Sequence, residues 1–212
     1  MDELDLLKKD WKKQESSYPT LNYEDIYNLI HKKSSSIVKW IFIICILEFI
    51  FWGFLNLIIP DSYLEIYEPF HLKKFFLITQ GIHYAIVAYF IFLFYKNFKA
   101  ISVIDNTNLL MKKILRTRKT VNYYVYYNIT LYIILSIVVN IIMFSQPEVL
   151  LESFLPENAI LENEKFIIIL LIVQVITLVL VCGLLWLYYR IIYGILLRRL
   201  KKNYKELETL EF

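Results

Sequence analysis

The stretch FIIILLIVQVITLVLVCGLLWLYY, residues 166–189, decides the fold of this chain. It contains no charged residue, and at 1.5 Å of rise per residue it is long enough to cross the ~30 Å hydrocarbon core of a bilayer as one α-helix. The whole chain of 212 residues is 58% apolar, which exceeds the usual apolar share of soluble domains. These features predict an integral membrane protein.

Three other apolar stretches repeat the pattern less cleanly, at about 38–59, 75–95 and 124–144. The chain has only four glycines and five prolines, so little of it is available for loops. The predicted fold is therefore an all-α membrane protein, a four-transmembrane-helix bundle with cytoplasmic N-terminal helices and helical extensions of the crossings. We place the transmembrane domain at residues 37–212.

Residues 1–36 predict a cytoplasmic region of two amphipathic helices. In the first helix, Leu4, Leu7 and Trp11 share one face, and acidic residues crowd the first turn, where the helix dipole favours them. One interpretation is a solvated or surface-lying helix. The other is a docking helix that binds a soluble partner or the lipid surface, with Trp11 as its anchor.

The second amphipathic helix has Asn22 as its predicted N-cap and acidic residues in its first turn. We interpret the serines at 34–36 as the connection from this helix to the first crossing. The apolar stripe of the helix consists of Tyr23, Ile26, Tyr27 and Ile30.

Basic residues concentrate on one side of the predicted crossings. The segment between the second and third crossings holds seven Lys or Arg and the segment after the fourth holds six, whereas the two loops on the other side hold only Lys73, Lys74 and Lys165. The positive-inside rule therefore predicts that both termini are cytoplasmic. Tyrosines and tryptophans at 123–127 and 186–189 fall at the same predicted inner boundary, as an aromatic belt does.

Two interpretations of the basic segment 96–120 remain open. The turn-prone quartet Asp105-Asn106-Thr107-Asn108 predicts a cytoplasmic helical hairpin. Alternatively, residues 101, 104, 108, 111 and 115 form the seam of one continuous helix, with Asn108 as its polar member. Residues 190–210 predict a cytoplasmic helix that continues the fourth crossing. A short interfacial helix before that crossing is predicted from Val149, Leu150, Leu151, Phe154 and Leu155.

Three polar residues inside the predicted crossings are candidates for function: Glu48, His83 and Gln174. Counted from the outer end of each crossing, they fall within roughly 5 Å of depth, which predicts one intramembrane polar cluster. A carboxylate at the bilayer centre costs about 2.5–3.5 kcal/mol on insertion scales, so Glu48 is expected to face other helices, to be protonated or to find a partner. The cluster either links helices structurally, or it serves as a proton or substrate relay.

The sequence predicts no catalytic residue, no cofactor and no metal site. The three histidines, His31, His71 and His83, are predicted at three different depths, so they do not share an ion. Neither the two cysteines nor any other residues form CxxC, HExxH, GxSxG or Gly-rich phosphate-binding motifs. The basic segments mark topology and contact lipid headgroups, so no nucleic-acid partner is expected.

Three runs of residues are distinctive: Leu6-Leu7-Lys8-Lys9-Asp10-Trp11-Lys12-Lys13-Gln14, Ser34-Ser35-Ser36-Ile37-Val38-Lys39-Trp40 and Arg118-Lys119-Thr120-Val121. They resemble those of a family of small uncharacterised bacterial four-pass membrane proteins, and the resemblance covers the whole chain. It implies a location in the bacterial inner membrane and brings no assigned activity. Some members of that family are labelled carotenoid-cleaving oxygenases, but such oxygenases hold iron with four histidines inside a β-propeller, whereas this chain has three histidines and helical patterning.

Three functional hypotheses follow from these features. The first is a non-enzymatic membrane protein, a regulatory or scaffolding subunit that binds a soluble partner through its cytoplasmic helices. The second is a small transporter or channel that uses Glu48 and His83, and the third is a membrane-embedded enzyme acting on a lipid or isoprenoid. Besides membrane lipid, a second copy of the chain is a candidate partner, because a stripe of small residues at Gly81, Ala85 and Ala88 fits a close neighbouring helix in the same chain or in a homo-oligomer.

Overall fold

The computed structural model of the chain describes residues 22–60, 62–102, 106–154 and 163–210. The predicted face of Leu4, Leu7 and Trp11 lies outside these residues. Within the described ranges the regular structure is entirely helical. The helices are α1 (Tyr23–Ile58), α2 (Ser62–Glu65), α3 (Leu72–Ser102), α4 (Thr107–Phe144), α5 (Pro147–Phe154) and α6 (Asn163–Leu210).

Four of these helices, α1, α3, α4 and α6, are long and apolar enough to cross a membrane. Many of their large apolar side chains are exposed, and the most apolar 18-residue window of α6 has 0% of its residues buried. In a membrane protein such surfaces face lipid tails, which are as apolar as the side chains. The predicted fold, an all-α bundle of four transmembrane helices, is confirmed.

The four long helices form a closed antiparallel ring in the order α1, α3, α4, α6. Each helix pairs early residues with late residues of its neighbour, which fixes the antiparallel direction. The pairs are His31–Ile101 and Asn56–Tyr84 between α1 and α3, His83–Tyr127 and Asn97–Thr120 between α3 and α4, Tyr124–Tyr189 between α4 and α6, and Ser34–Asn203 and Glu48–Tyr188 between α6 and α1.

One end of this ring holds the start of α1, the turn between α3 and α4, and the end of α6. We call it the basic end, because most Lys and Arg residues of the described chain lie toward it. The opposite end, which holds α2 and α5, is called the acidic end. These two names describe charge alone.

Helix α1 is one continuous helix, although the sequence predicted a connection at 34–36. Its first turn is closed by a capping box, in which the side chains of Asn22 and Asp25 each accept a hydrogen bond from a backbone N–H. Ser34 is fully buried and accepts a hydrogen bond of 2.9 Å from Asn203 of α6. Packing against α6 therefore stabilises the helix where the serines alone favour a break.

The basic segment between the second and third crossings contains two helices. Helix α3 ends at Ser102 and α4 begins at Thr107, so no single helix spans 96–120. Asn106 is the N-cap of α4, and its side-chain oxygen accepts a hydrogen bond of 3.3 Å from the N–H of Leu109. The hydroxyls of Tyr23 and Thr107 lie 3.0 Å apart, which joins the start of α1 to the start of α4.

Buried side chains form two separate cores. The larger core fills the bundle toward the basic end and includes Ile41, Phe94, Ile101, Ile114 and Leu200, all at 0% exposure. The smaller core lies at the acidic end and consists of Phe70, Leu72, Met143 and Leu150 with partly buried neighbours. The bundle is therefore well packed at both ends.

Candidate functional site

A cavity of about 510 Å³ lies inside the ring, between the two cores. All four long helices contribute to its wall, so its shape depends on the whole bundle. Its volume falls within the range of small-molecule binding sites. The wall consists of Glu48, Phe49, Trp52 and Asn56 of α1, Leu64 of α2, Phe76, Thr79, Gln80, His83, Tyr84 and Val87 of α3, Tyr124, Asn128, Leu131, Tyr132 and Leu135 of α4, and Val181, Leu185 and Tyr189 of α6.

The cavity ends at Glu48 on the side of the basic end. Cys45 lies on α1 one turn nearer the basic end than Glu48, and it is fully buried. The neighbouring helices contribute the fully buried Phe94 and Val121. These side chains belong to the large core and fill the axis of the bundle. The cavity is therefore blind on this side.

Glu48 is the only carboxylate among the described residues of the cavity wall, and three tyrosines hold its side chain. Its Oε2 accepts hydrogen bonds from the hydroxyls of Tyr124, at 2.7 Å, and Tyr193, at 3.0 Å. Its Oε1 accepts a hydrogen bond of 2.7 Å from the hydroxyl of Tyr188. One carboxylate of α1 thus joins α4 and α6, and Glu48 retains 5% of its surface exposed.

Aromatic packing holds these tyrosines in place. The ring of Tyr124 lies edge-on to Phe90, Phe94, Tyr189 and Tyr193, with ring centroids 5.4–6.2 Å apart. Such edge-to-face pairs are favourable beyond the area they bury. Because four neighbours fix the ring of Tyr124, its hydroxyl meets Glu48 without further ordering.

His83 lines the same cavity, but its partner is Tyr127. Its ring stacks on Tyr127 with ring centroids 5.8 Å apart, and its Nδ1 lies 3.3 Å from the Tyr127 hydroxyl. Among the described residues, no hydrogen bond joins His83 to Glu48. The two residues therefore share a cavity, and each has its own tyrosine partners.

Gln174, the third member of the predicted cluster, does not line the cavity. It lies on α6 fourteen residues before Tyr188, which corresponds to about 21 Å along the helix axis. The prediction of equal depth assumed that all crossings end at one level. In the structure α6 is 48 residues long and contacts Glu48 through its second half, so the structure brings together Glu48 and His83 and leaves Gln174 apart.

A chain of amides and a hydroxyl occupies the acidic side of the cavity, and the sequence analysis did not identify it. Gln80 Nε2 donates a hydrogen bond of 2.6 Å to Asn56 Oδ1, and Asn56 Nδ2 donates to the Tyr84 hydroxyl at 2.9 Å. Asn56 and Gln80 each lie within six residues of the loop that joins the first two crossings. Their similar distance from that loop is the sequence feature that predicts their proximity.

The tyrosine partners of Glu48 were also missed. In the sequence, Tyr124 and Tyr188 were interpreted as belt residues at the membrane boundary, and Tyr193 was not considered. A signal was present, because Tyr188 and Tyr193, with Tyr189 between them, lie within six residues of each other on one helix. A buried carboxylate needs donors, and a run of tyrosines on a neighbouring helix supplies them.

Comparison with known proteins places this bundle in a family. Residues 24–212 match the family described as a domain of unknown function, DUF8845, and this range includes the four long helices, apart from the first residue of α1, and every described residue of the cavity wall. No curated protein and no solved structure matches the chain. The chain therefore belongs to the family described as domain of unknown function DUF8845.

Proposed function

We propose that this protein is a non-enzymatic integral membrane protein that binds a small molecule in its intramembrane cavity. In this proposal it acts as a regulatory or scaffolding subunit through its cytoplasmic helices. The observation that carries the proposal is a blind cavity of about 510 Å³ whose wall is built from the same four helices that continue toward the basic end. Binding in the cavity is thereby linked to the surface available to a soluble partner.

The blind end favours binding over conduction. A conducting path needs an axis that is open, or that opens, from one side of the membrane to the other. Here the axis beyond Glu48 is filled by side chains at 0% exposure, among them Ile41, Phe94 and Ile101. A small molecule that enters the cavity therefore stops at Glu48.

The continuity of the helices supports a regulatory role. Beyond Glu48 the four helices are joined by polar contacts between Asn97 and Thr120 and between Ser34 and Asn203. A change in helix separation at the cavity is transmitted to the basic end, since close-packed helices move as rigid rods. The soluble partner is expected to bind there.

We further propose that the basic end faces the cytoplasm and that the membrane is the bacterial inner membrane. The support is the charge distribution, because only Lys73, Lys74 and Lys165 of the basic residues after position 22 lie at the acidic end. Cysteines introduced as Lys112→Cys and Glu148→Cys test this with a membrane-impermeant maleimide. We expect labelling at 148 from outside intact cells and at 112 only after permeabilisation, and the reverse pattern would contradict the orientation.

Native mass spectrometry of protein purified in mild detergent tests binding in the cavity. Val181→Phe places a larger side chain in the cavity wall, whereas Val179→Phe changes a side chain that is 67% exposed on the same helix. We expect a co-purified small molecule on the wild type and on Val179→Phe, and its loss from Val181→Phe. Equal occupancy of all three proteins would overturn the proposed site.

Affinity purification from native membranes tests the regulatory part. Deletion of residues 1–20 is expected to remove a stoichiometric partner that is found with the full chain, and Val181→Phe is expected to change the amount of that partner. An unchanged list of bound proteins for both variants would reject the role as a regulatory subunit. The Val179→Phe protein serves as the control for expression and extraction.

A small transporter is the second candidate, because Glu48 and His83 line one cavity. Unlike the proposed binding protein, a transporter requires the filled axis of the bundle beyond Glu48 to open. Flux into liposomes that is abolished by Glu48→Gln and by His83→Ala would favour it. Flux that survives both substitutions would exclude these residues from the path.

A further inference from the structure

We infer that the ligand of the cavity is a lipophilic organic cation, with its charged nitrogen or phosphorus centre beside Glu48 and its apolar groups against the aromatic wall. This inference rests on the proposed binding function and names the chemical class of the ligand. Three properties of the wall carry it: its charge, its aromatic content and its apolar remainder.

The charge of the wall is acidic and lacks a cationic partner. Among the nineteen lining residues that the structure describes there is one carboxylate, Glu48, and there is no Lys or Arg. Within the described chain Glu48 forms no ion pair, and its three hydrogen-bond donors are neutral tyrosine hydroxyls. Burial away from water disfavours an isolated carboxylate charge, and a cation bound beside Glu48 would stabilise its ionised form.

The three donors leave room for a fourth contact. A carboxylate has about four lone-pair sites, and Tyr124, Tyr188 and Tyr193 occupy three of them. Glu48 lines the cavity with the part of its surface that remains exposed. The tyrosines therefore hold the carboxylate at the end of the cavity nearest the basic end, with one lone-pair site left for a ligand.

The aromatic content of the wall fits a cation as well. Seven of the nineteen lining residues are Phe, Tyr or Trp, including Tyr124 and Tyr189 next to Glu48 and Trp52 and Tyr84 further out. The faces of aromatic rings attract cations, most strongly where water is excluded, and aromatic cages bind quaternary ammonium groups in this way. The same ring faces and Glu48 would repel an anionic ligand.

The remaining wall is mainly apolar, which selects a lipophilic cation over an inorganic one. Val87, Leu131, Leu135, Val181 and Leu185 offer no oxygen or nitrogen ligand from their side chains. The amides of Asn56 and Gln80 are bonded to each other. A small hydrated cation would find few oxygen or nitrogen atoms here to replace its water, whereas the organic groups of a lipophilic cation would contact the apolar side chains directly.

The test measures binding of radiolabelled tetraphenylphosphonium to the full chain in nanodiscs of phosphatidylcholine. The neutral triphenylphosphine oxide serves as the uncharged probe of related shape. We expect saturable binding of the cation at one site per chain, weak binding of the neutral probe, and a loss of cation affinity of about tenfold or more in Glu48→Gln. Glu148→Gln, an exposed carboxylate of α5 outside the cavity, is the matched control and should bind as the wild type does.

A second pair of variants keeps the test informative if Glu48→Gln does not fold. Trp52→Leu removes an aromatic face from the cavity wall, whereas Trp40→Leu changes an exposed tryptophan of the same helix outside the wall. We expect Trp52→Leu to weaken binding of the cation by about threefold to tenfold and Trp40→Leu to leave it unchanged. Equal affinities for these two variants would contradict the inferred role of the wall.

The outcomes separate this inference from the proposed function. If the neutral probe binds as tightly as the cation, and Val181→Phe blocks both, the cavity is a binding site and its preference for cations is refuted. If the cation fails to bind the wild type while a native small molecule is found in the cavity by mass spectrometry, the chemical class is refuted and the binding function is retained. If neither probe nor native molecule binds, both proposals are overturned.

Discussion

At the scale of single residues, the bundle depends on one carboxylate that serves two purposes. Glu48 joins three helices through Tyr124, Tyr188 and Tyr193, and it forms the blind end of the cavity. Hydrogen bonds to a charged group are stronger than neutral ones, and a buried acceptor that loses its donor is costly. The three tyrosines are therefore expected to differ in importance according to how well water or lipid headgroups can replace them.

Removal of single hydroxyls tests this expectation. Tyr124 is 3% exposed and Tyr188 is 38% exposed, although both hydroxyls lie 2.7 Å from Glu48. In detergent, Tyr124→Phe should lower the free energy of unfolding by about 1.5–3 kcal/mol, and Tyr188→Phe by clearly less, because water that penetrates the micelle reaches the more exposed site and replaces the donor. Reversible denaturation in detergent micelles measures both values. Equal losses for the two variants would show that exposure does not control the contribution of the donors.

At the scale of elements, the sequence was most informative where an apolar run is long enough to span a bilayer. The four crossings, the N-cap at Asn22 and the end of α3 before Asn106 all follow from local chemistry. The continuity of α1 through 34–36 does not follow, because serine side chains compete with a helix for backbone hydrogen bonds. Here a contact with α6, 169 residues away in sequence, decides the structure.

The Ser34–Asn203 pair permits a direct measurement of that contact. Both side chains are buried, at 0% and 6% exposure, and Asn203 Nδ2 donates to Ser34 Oγ at 2.9 Å. Asn203→Ala should lower the free energy of unfolding by about 1–3 kcal/mol, since it leaves the serine hydroxyl without its donor. The double variant with Ser34→Ala should cost about 0.5–1.5 kcal/mol less than the sum of the single variants. Strict additivity would mean that the pair does not couple α1 to α6.

At the scale of the whole molecule, the cavity is the feature that the sequence could not reveal. Its position depends on the register between helices, which is set by loop lengths and by side chains far apart in sequence. Glu48 and His83 were identifiable, because polar groups inside an apolar run are conspicuous in the sequence. Gln174 attracted attention for the same reason, but the long α6 carries it away from the other two. Asn56 and Gln80, which do line the cavity, lie near a loop and were less conspicuous.

The two cores on either side of the cavity imply that this space is kept open at a cost in stability. A void in a close-packed interior forfeits dispersion contacts, so natural proteins retain one mainly where function requires it. Val181→Phe, which adds atoms to the cavity wall, should therefore leave the free energy of unfolding unchanged or raise it by about 1 kcal/mol while binding is lost. The lipid-facing Val179→Phe should change neither property by a measurable amount. Denaturation in detergent micelles, with the bound ligand removed beforehand, provides the comparison. A loss of more than about 1 kcal/mol in Val181→Phe would mean that the space next to position 181 is already occupied by other side chains. The cavity would then not be a space that is kept open for a ligand.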